Sequence, residues 1–364
     1  MEYLVSVVVP TKNRYKYLRY LIQLIDSFQL PELELVIQDN SDDNSEILEY
    51  LKGFDNPNIK YYYSSDSLTM SGNAELGIQN ASGEYICYIG DDDGVCRNIV
   101  DCVRWMKENQ IDVAVSRAAW FVWGGKIRIY DTNRPPTEVI YSDERRKRLA
   151  ERGMVLYKSY MPNIYQSIVK KQVLVDIVAK YGTMFPSVPP DISGALVLSY
   201  AVKKYARINV PVVIAGSSAM TGGGVVKQGG VLPLDKVPFI SADDIKNWEP
   251  CIPPIWCGNY AWLNSAIKTL RFIGHEELTE DINLEYGFAG AVARRPKKRV
   301  LWKYSFTYSK RKVRFCLIVI LRIVTRYVDK VLENIGVNVT QSKGKATIIE
   351  AEEFFIDKNK KKFL

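Results

Sequence analysis

Hydrophobic positions in the first third of the chain arrive in two alternating rhythms. Residues 5–10 form a continuous Val-rich run, the pattern of a strand buried on both faces. In residues 17–28, Leu18, Leu21, Ile22, Ile25 and Phe28 recur at helical spacing. Residues 33–38 are strand-like and end in Asp39-Asn40-Ser41-Asp42-Asp43, and residues 45–54 predict a short helix with Ile47, Leu48 and Leu51 on one face. A strand at 59–63, a helix at 70–80 and an apolar strand at 85–89 follow, the last running into Gly90-Asp91-Asp92-Asp93. Residues 99–109 are helical and 112–116 strand-like. Strands alternating with helices in this way predict β-α-β units, hence an α/β fold on a doubly wound, mainly parallel sheet.

The rhythm loosens after about residue 125. The pattern predicts a charged helix at 143–161, a helix at 171–181 and a third at 192–205, opened by Pro189-Pro190-Asp191. A strand at 208–215 leads into a glycine-rich segment, 216–230. Residues 231–295 mix prolines and aromatics without a regular period. Residues 313–335 read as one amphipathic helix, and the tail from Gly336 is expected to be poorly ordered at its lysine-rich end.

Composition narrows the chemistry. The chain has 364 residues, 47% of them hydrophobic and 25% charged, an ordinary globular balance. The one histidine, His275, excludes zinc sites and triads that need two. Six cysteines without a C-x-x-C pair read as buried free thiols in a reducing compartment. The first residues lack the pattern of a secretory signal, and the longest late apolar run, 315–321, is far short of the roughly 20 residues of a membrane span. The expectation is a soluble or peripheral protein inside the cell. The net charge of +8 is unevenly placed: residues 294–330 hold thirteen Lys/Arg against one acid, Asp329, while the body before them is mildly acidic. Such asymmetry points to an anionic partner at one end. No nucleic-acid module is evident in the order of elements, so nucleic acid is not an expected partner.

In open parallel sheets, ligands bind at the carboxyl ends of strands, and the polar clusters fall there: Pro10-Thr11-Lys12-Asn13-Arg14, Asp39-Asn40 and Asp91-Asp92-Asp93. Three adjacent carboxylates repel unless a cation sits between them. Hard oxygen ligands suit Mg²⁺ or Mn²⁺, which take one or two carboxylates plus substrate phosphates; the plainer alternative is a solvated acidic turn. Asp191 is placed either to remove a proton or to cap a helix N-terminus. The glycine-rich segment lacks a phosphate-loop pattern and reads as a loop over the site, with Ser217, Ser218 and Lys227 as candidate diphosphate or acceptor contacts. Trp120, Trp123 and Tyr165 are candidates for stacking on sugar rings, against the simpler reading as core.

Three blocks taken together, Val7-Val8-Val9-Pro10-Thr11-Lys12-Asn13-Arg14, Gln38-Asp39-Asn40-Ser41-Asp42-Asp43 and Gly83-Glu84-Tyr85-Ile86-Cys87-Tyr88-Ile89-Gly90-Asp91-Asp92-Asp93, resemble glycosyltransferase family 2. The resemblance covers residues 4–120 and extends more weakly to about 220. It implies a GT-A fold, a nucleotide-sugar donor and inversion at the anomeric carbon. By the same resemblance Pro10, Thr11, Arg14, Asp39, Asn73 and Asp91 bind the donor nucleotide. Asp39 would accept from a uracil ring N–H, and Asp91 would contact the ribose. Asp92 and Asp93 lie at a Mn²⁺ or Mg²⁺ ion, and Asp191 is the catalytic base. Many members carry Ala-Arg-Asn where this chain reads Asn73-Ala74-Glu75; an arginine there touches phosphate and Glu75 cannot.

The implied organisation is a nucleotide-sugar-binding half (1–125), an acceptor-binding and catalytic half (126–230), an extension of uncertain structure (231–295), a basic amphipathic region (296–335) and a tail (336–364). The implied activity is transfer from a UDP-sugar to a glycan or lipid-linked glycan in surface polysaccharide assembly. The alternatives are a sugar-phosphate nucleotidyltransferase and a non-enzymatic membrane-bound scaffold. In 313–335, Leu317, Ile320, Leu321, Val324, Tyr327, Val328, Val331 and Ile335 share one face, with Arg314, Arg322, Arg326 and Lys330 elsewhere. That is the profile of a helix in an anionic membrane interface, expected on the inner, cytoplasmic side. The competing reading is a helix packed on the body or on a second copy in a homo-oligomer. A chain ending near Pro296 is expected to stay folded.

Overall fold

The structure, a computed structural model, describes residues 3–66, 68–116, 118–130, 133–219, 231–237, 240–335, 339–342 and 346–358. The first half winds as β1 (Val5–Thr11), α1 (Tyr15–Phe28), β2 (Leu33–Asp39), α2 (Ser45–Leu51), β3 (Ile59–Tyr63), α3 (Met70–Asn80) and β4 (Tyr85–Tyr88). It continues through β5 (Gly94–Val95), α4 (Ile99–Glu108), β6 (Val113–Ser116), β7 (Ala119–Val122), β8 (Ile127–Tyr130) and β9 (Thr137–Tyr141). Then come α5 (Ser142–Glu151), α6 (Leu156–Ser159), β10 (Ser167–Lys170), α7 (Lys171–Tyr181), α8 (Pro190–Ala201), β11 (Lys204–Ile208) and β12 (Val213–Ser217). The remainder holds β13 (Leu232–Pro233), α9 (Ala242–Lys246), β14 (Ile255–Trp256), α10 (Gly258–Phe272), α11 (Leu284–Arg294), α12 (Arg299–Tyr308), α13 (Lys312–Asn334), β15 (Val339–Ser342) and α14 (Ile348–Lys358).

An eight-stranded sheet runs β3-β2-β1-β4-β10-β6-β11-β9. Its β3-β2-β1-β4 half is parallel throughout, while β10 lies antiparallel between β4 and β6. The Val-rich β1 is covered on both sides. Val5, Val7 and Val9 join the core of α1 and α4, and Val8 joins the core on the other face with residues of α3, α7 and α8. A second sheet, β15-β8-β7-β12-β5, stands beside the first. A third core fills residues of α5, α8 and α10 through α13.

Several expectations are corrected. The helix expected at 143–161 breaks after Glu151, because Gly153 turns at φ +54° where a Cβ would lie 2.2 Å from the backbone nitrogen of Gly287. The helix expected at 192–205 stops at Ala201, and its last residues enter β11, in register with β6 and β9. The uncertain stretch 231–295 is largely helical. The supposed tail carries β15, antiparallel to β8, and α14, whose Ile348, Ala351 and Phe355 are wholly buried in the first core. Buried Glu352 is gripped there by Arg97 at 3.0 Å. Residues 348–358 therefore pack in the same core as β1, α1 and α4, which removes the basis for a stable chain ending near Pro296; the lysine-rich end, 359–364, lies outside the described residues. All six cysteines are free; Cys87, Cys96, Cys102 and Cys257 are buried as expected, but Cys251 is exposed and Cys316 half-buried.

The amphipathic helix, α13, is packed on the body along one side. Phe315 and Val319 are buried in the third core, Arg322 stacks on Tyr286 at 4.4 Å and Arg326 donates to the Ala293 carbonyl at 3.3 Å, so one side packs on α11. Among the described residues no helix is long and apolar enough to cross a membrane.

Candidate active site

The site is built where β1, β2 and β4 end. Thr11 and Asp39 lie side by side as the last registered pair of β1 and β2. Beyond Thr11 the chain turns through Asn13 at φ 56° and enters α1 at Arg14. This turn sends the Arg14 guanidinium back over the end of β4, where Nη2 lies 3.0 Å from Asp91 Oδ1 and 3.1 Å from Asp92 Oδ1. Arg14 is thus the cation that the acidic triplet demands. Burial works against its charge, yet Asp91 and Asp92 hold it above its ordinary value.

Asp91, Asp92 and Asp93 are 2%, 2% and 0% exposed, so each carboxylate depends on protein donors. Thr11 Oγ1 donates to Asp91 Oδ2 at 2.8 Å. Burial pushes the Asp91 carboxyl up to about 7, against the pull of Arg14 and Thr11. Asp93 is likewise pushed up to about 7, by burial and then by Asp92. Four donors meet it: the Tyr165 hydroxyl at 2.5 Å and Gly90 N at 2.9 Å on Oδ2, Gln166 Nε2 at 2.8 Å and Gly216 N at 2.7 Å on Oδ1. The second sheet closes the turn from the other side. Trp123 Nε1 donates to the Asp92 carbonyl at 2.8 Å, and a Cβ at Gly216 would lie 1.7 Å from that oxygen, so only glycine fits there.

The two carboxylates expected at a metal therefore differ. Both Asp93 oxygens are taken by donors, whereas Asp92 Oδ2 is buried with no hydrogen-bond partner. Among the described residues, no three His, Cys, Asp or Glu side chains are grouped to hold an ion. A single open carboxylate oxygen fits Mg²⁺ or Mn²⁺ provided that substrate phosphates complete the shell, the usual habit of these ions.

At the end of β2, Asp39 Oδ2 accepts from the Tyr15 and Tyr61 hydroxyls at 2.7 and 2.8 Å, and Oδ1 from Ser41 N at 2.8 Å. Burial raises both tyrosines well above their usual range. Pro10 sits one residue before Thr11, paired with Gln38. Asn73 Nδ2 reaches the carbonyls of Thr11 and Gln38 at 3.2 and 3.4 Å, leaving its Oδ1 buried and without a partner. Glu75, in the place of the arginine common among members, accepts from Thr183 and from Met184 N at 2.7 Å; it anchors the loop that leads to α8.

Asp191 is the second residue of α8, and the N-cap position falls on Pro189, which corrects the simple capping expectation. Its Oδ1 nevertheless accepts from Ile192 N at 2.8 Å, and its Oδ2 from Trp262 Nε1 at 3.0 Å. Burial raises the Tyr88 phenol, and the charges of Asp93, Asp191 and Asp91 add to it, so Asp191 shares the electrostatic surroundings of the acidic edge. Trp262 was silent in the sequence, as nothing in its local pattern marks it as a neighbour of Asp191.

The remaining candidates are dispersed around this edge. Tyr165 is engaged with Asp93 and packs against Tyr88 at 5.3 Å. Trp120 lies under Arg128 at 5.4 Å, and Trp123 packs on Tyr17 at 4.8 Å. Ser217 ends β12, and Ser218 Oγ lies 3.4 Å from Arg14 Nη2. Lys227 lies outside the described residues.

A doubly wound sheet with this acidic edge is the GT-A class of fold. Residues 6–172, just under half of the chain, match the model of glycosyl transferase family 2. It is 34% identical over 91 residues to the GalNAc(5)-diNAcBac-PP-undecaprenol beta-1,3-glucosyltransferase of Campylobacter jejuni, over 24% of this chain and 29% of that protein. It is 30% identical over 118 residues to the glycosyltransferase GlyG of Streptococcus pneumoniae, over 32% of this chain and 39% of that one. The chain thus spans well under half the length of the curated relatives it matches. S. aureus TarS 1–349, solved with UDP-GlcNAc, superposes with a TM-score of 0.51 at 14% identity, over 84% of this chain and 90% of that chain, a likeness of fold.

Proposed function

We propose that the protein is an inverting glycosyltransferase that moves a sugar from a uridine diphosphate donor to a hydroxyl of a glycan or lipid-linked glycan. The observation that carries the reading is the asymmetry of the acidic edge. One buried oxygen, Asp92 Oδ2, is left open, while Asp91 and Asp93 are held by their neighbours. The name of the Campylobacter relative, a glucosyltransferase of an undecaprenol-linked glycan, supports a lipid-linked acceptor. Work on such an acceptor suits a peripheral enzyme on the inner membrane face, in surface polysaccharide assembly.

Asp39 and Thr11 receive the nucleobase and ribose side of the donor, with Asp91 at the ribose and Asn73 holding the ends of β1 and β2 in place. Asp92 would hold a Mn²⁺ or Mg²⁺ ion, which when bound offsets the negative charge of the leaving diphosphate. Arg14 presents a second positive group beside that charge, and Asp93 keeps the turn in shape through Tyr165, Gln166 and Gly216. Asp191 accepts the proton of the acceptor hydroxyl as it attacks. Its orientation is set by Trp262 and by the start of α8.

The test is product release from UDP-sugars with and without Mn²⁺, read beside thermal shifts. Metal-dependent UDP release and the largest shift from UDP with Mn²⁺ are expected. Release of pyrophosphate would favour a nucleotidyltransferase, and no release or shift with any nucleotide would favour a scaffold.

A further inference from the structure

Half of the large hydrophobic side chains that stand exposed among the described residues belong to α13 and its C-cap. They form a continuous stripe at three- and four-residue steps, with Val313 76%, Leu317 63%, Ile320 61%, Val324 54%, Tyr327 71% and Ile335 67% exposed. The opposite face is already used on α11 through Phe315, Val319, Arg322 and Arg326. The helix is therefore fixed to the body with its apolar side turned out, over a length of about 34 Å. Neither half of this pattern is explained by folding alone, since the packed face needs no apolar partner on its far side.

Charge decides what covers the stripe. Residues 294–330 carry thirteen basic side chains against one acid, and Lys310, Arg311, Lys312 and Arg314 stand exposed where the stripe begins. A second copy packed through the same face would bring two such collars together and pay in repulsion. An anionic bilayer surface answers both features at once. The far end of the helix is tied toward the site: Glu333 pairs with Arg128 at 2.8 Å, and Arg128 lies over Trp120 on β7, three residues before Trp123, the indole donor to the Asp92 carbonyl.

We propose that the outer face of α13 lies in the plane of an anionic lipid surface, its stripe at the acyl boundary and residues 297–314 on the headgroups. This deepens the proposed function by giving the enzyme a fixed orientation to a membrane-borne acceptor, and rests on that reading only for the acceptor.

The test is co-sedimentation of the full chain with vesicles of phosphatidylglycerol and phosphatidylcholine, against phosphatidylcholine alone, with sedimentation velocity in the absence of lipid. Binding to the anionic vesicles at low salt is expected, more than a hundredfold stronger than to neutral ones, from a protein that is monomeric without lipid. Because the altered positions are exposed, L317Q/I320Q/V324Q should keep the melting temperature and the UDP-induced shift. It should bind anionic vesicles about tenfold less well, and K310E/R311E/K312E at least a hundredfold less well. Full chain that ignores anionic vesicles, or a glutamine variant that binds them as well as the parent, overturns the proposal. So does a lipid-free dimer that the glutamine variant dissolves, which would assign the stripe to a second copy. Vesicle binding without any nucleotide shift would sink the glycosyltransferase reading and leave the lipid surface standing.

Discussion

The acidic edge and the basic collar both crowd like charges, and they manage them in opposite ways. Asp91, Asp92 and Asp93 are buried and answered from within, by Arg14, Thr11, Tyr165, Gln166 and two backbone amides. The collar leaves most of its cations in water, with a single acid among them. Buried charges with fixed partners respond to which atom is present and little to ionic strength. Exposed charges project a field that falls off within about 8 Å at physiological salt and that any anion can screen. The first arrangement suits recognition of one ligand, the second attraction to a surface.

The largest test of this contrast removes the chain after Asn334. Ile348 and Phe355 each contribute about 1.5–3 kcal/mol by burial, and the Arg97–Glu352 pair is lost with them. Ile348 also packs at Gly94, directly after Asp93, so the acidic edge loses its backing while the collar stays whole. Against a typical stability of about 5–15 kcal/mol, the shortened chain should show no cooperative melt and no nucleotide shift. A truncated protein that melts like the parent would show that the edge holds itself.

Next comes Asp191→Asn, expected to lower turnover by about 10²–10⁴-fold while leaving the UDP-induced thermal shift in place. Turnover at the parental rate would remove Asp191 from the chemistry. Arg14→Met should then cost about 2–4 kcal/mol in a urea melt, by leaving Asp91 and Asp92 buried without their cation, and the cost should be nearly the same at low and high salt. A cost that vanishes in high salt would mean that the edge behaves like the collar. The smallest effect belongs to Lys310→Ala, where loss of one exposed cation should weaken binding to anionic vesicles by about fivefold at low salt and by less as salt rises. Titration of vesicle binding against salt measures both.

The legibility of the molecule follows the range of its contacts. Strands β1 to β4 and the helices between them were readable because a strand buried on both faces is an unbroken apolar run, and each helix keeps its period of 3.6 within a few turns. The acidic triplet was readable by its place after such a run, and its need of a cation followed from repulsion. That the cation is Arg14 depends on the turn at Asn13, which no local pattern encodes. The same limit hid the donors to Asp93, since Tyr165, Gln166 and Gly216 come from elements far along the chain. Between Pro190 and Ile208 only the short Lys203-Lys204 break interrupts the apolar content near the end of α8, so the boundary between α8 and β11 was blurred. The strand β15 pairs with β8 some two hundred residues earlier, a partnership invisible to any local window.

That return of the chain also sets a timetable for biosynthesis. Glu352 reaches the ribosome 255 residues after Arg97, the partner it must find. At about 5–20 residues per second, the core beside the acidic edge waits roughly 13–50 s for its last wall. Within that interval α13 is made, so its apolar stripe and cations precede the helix that closes the core beside the acidic edge. The order in which these elements appear is thus written into the position of α14, the last of the described helices to be made.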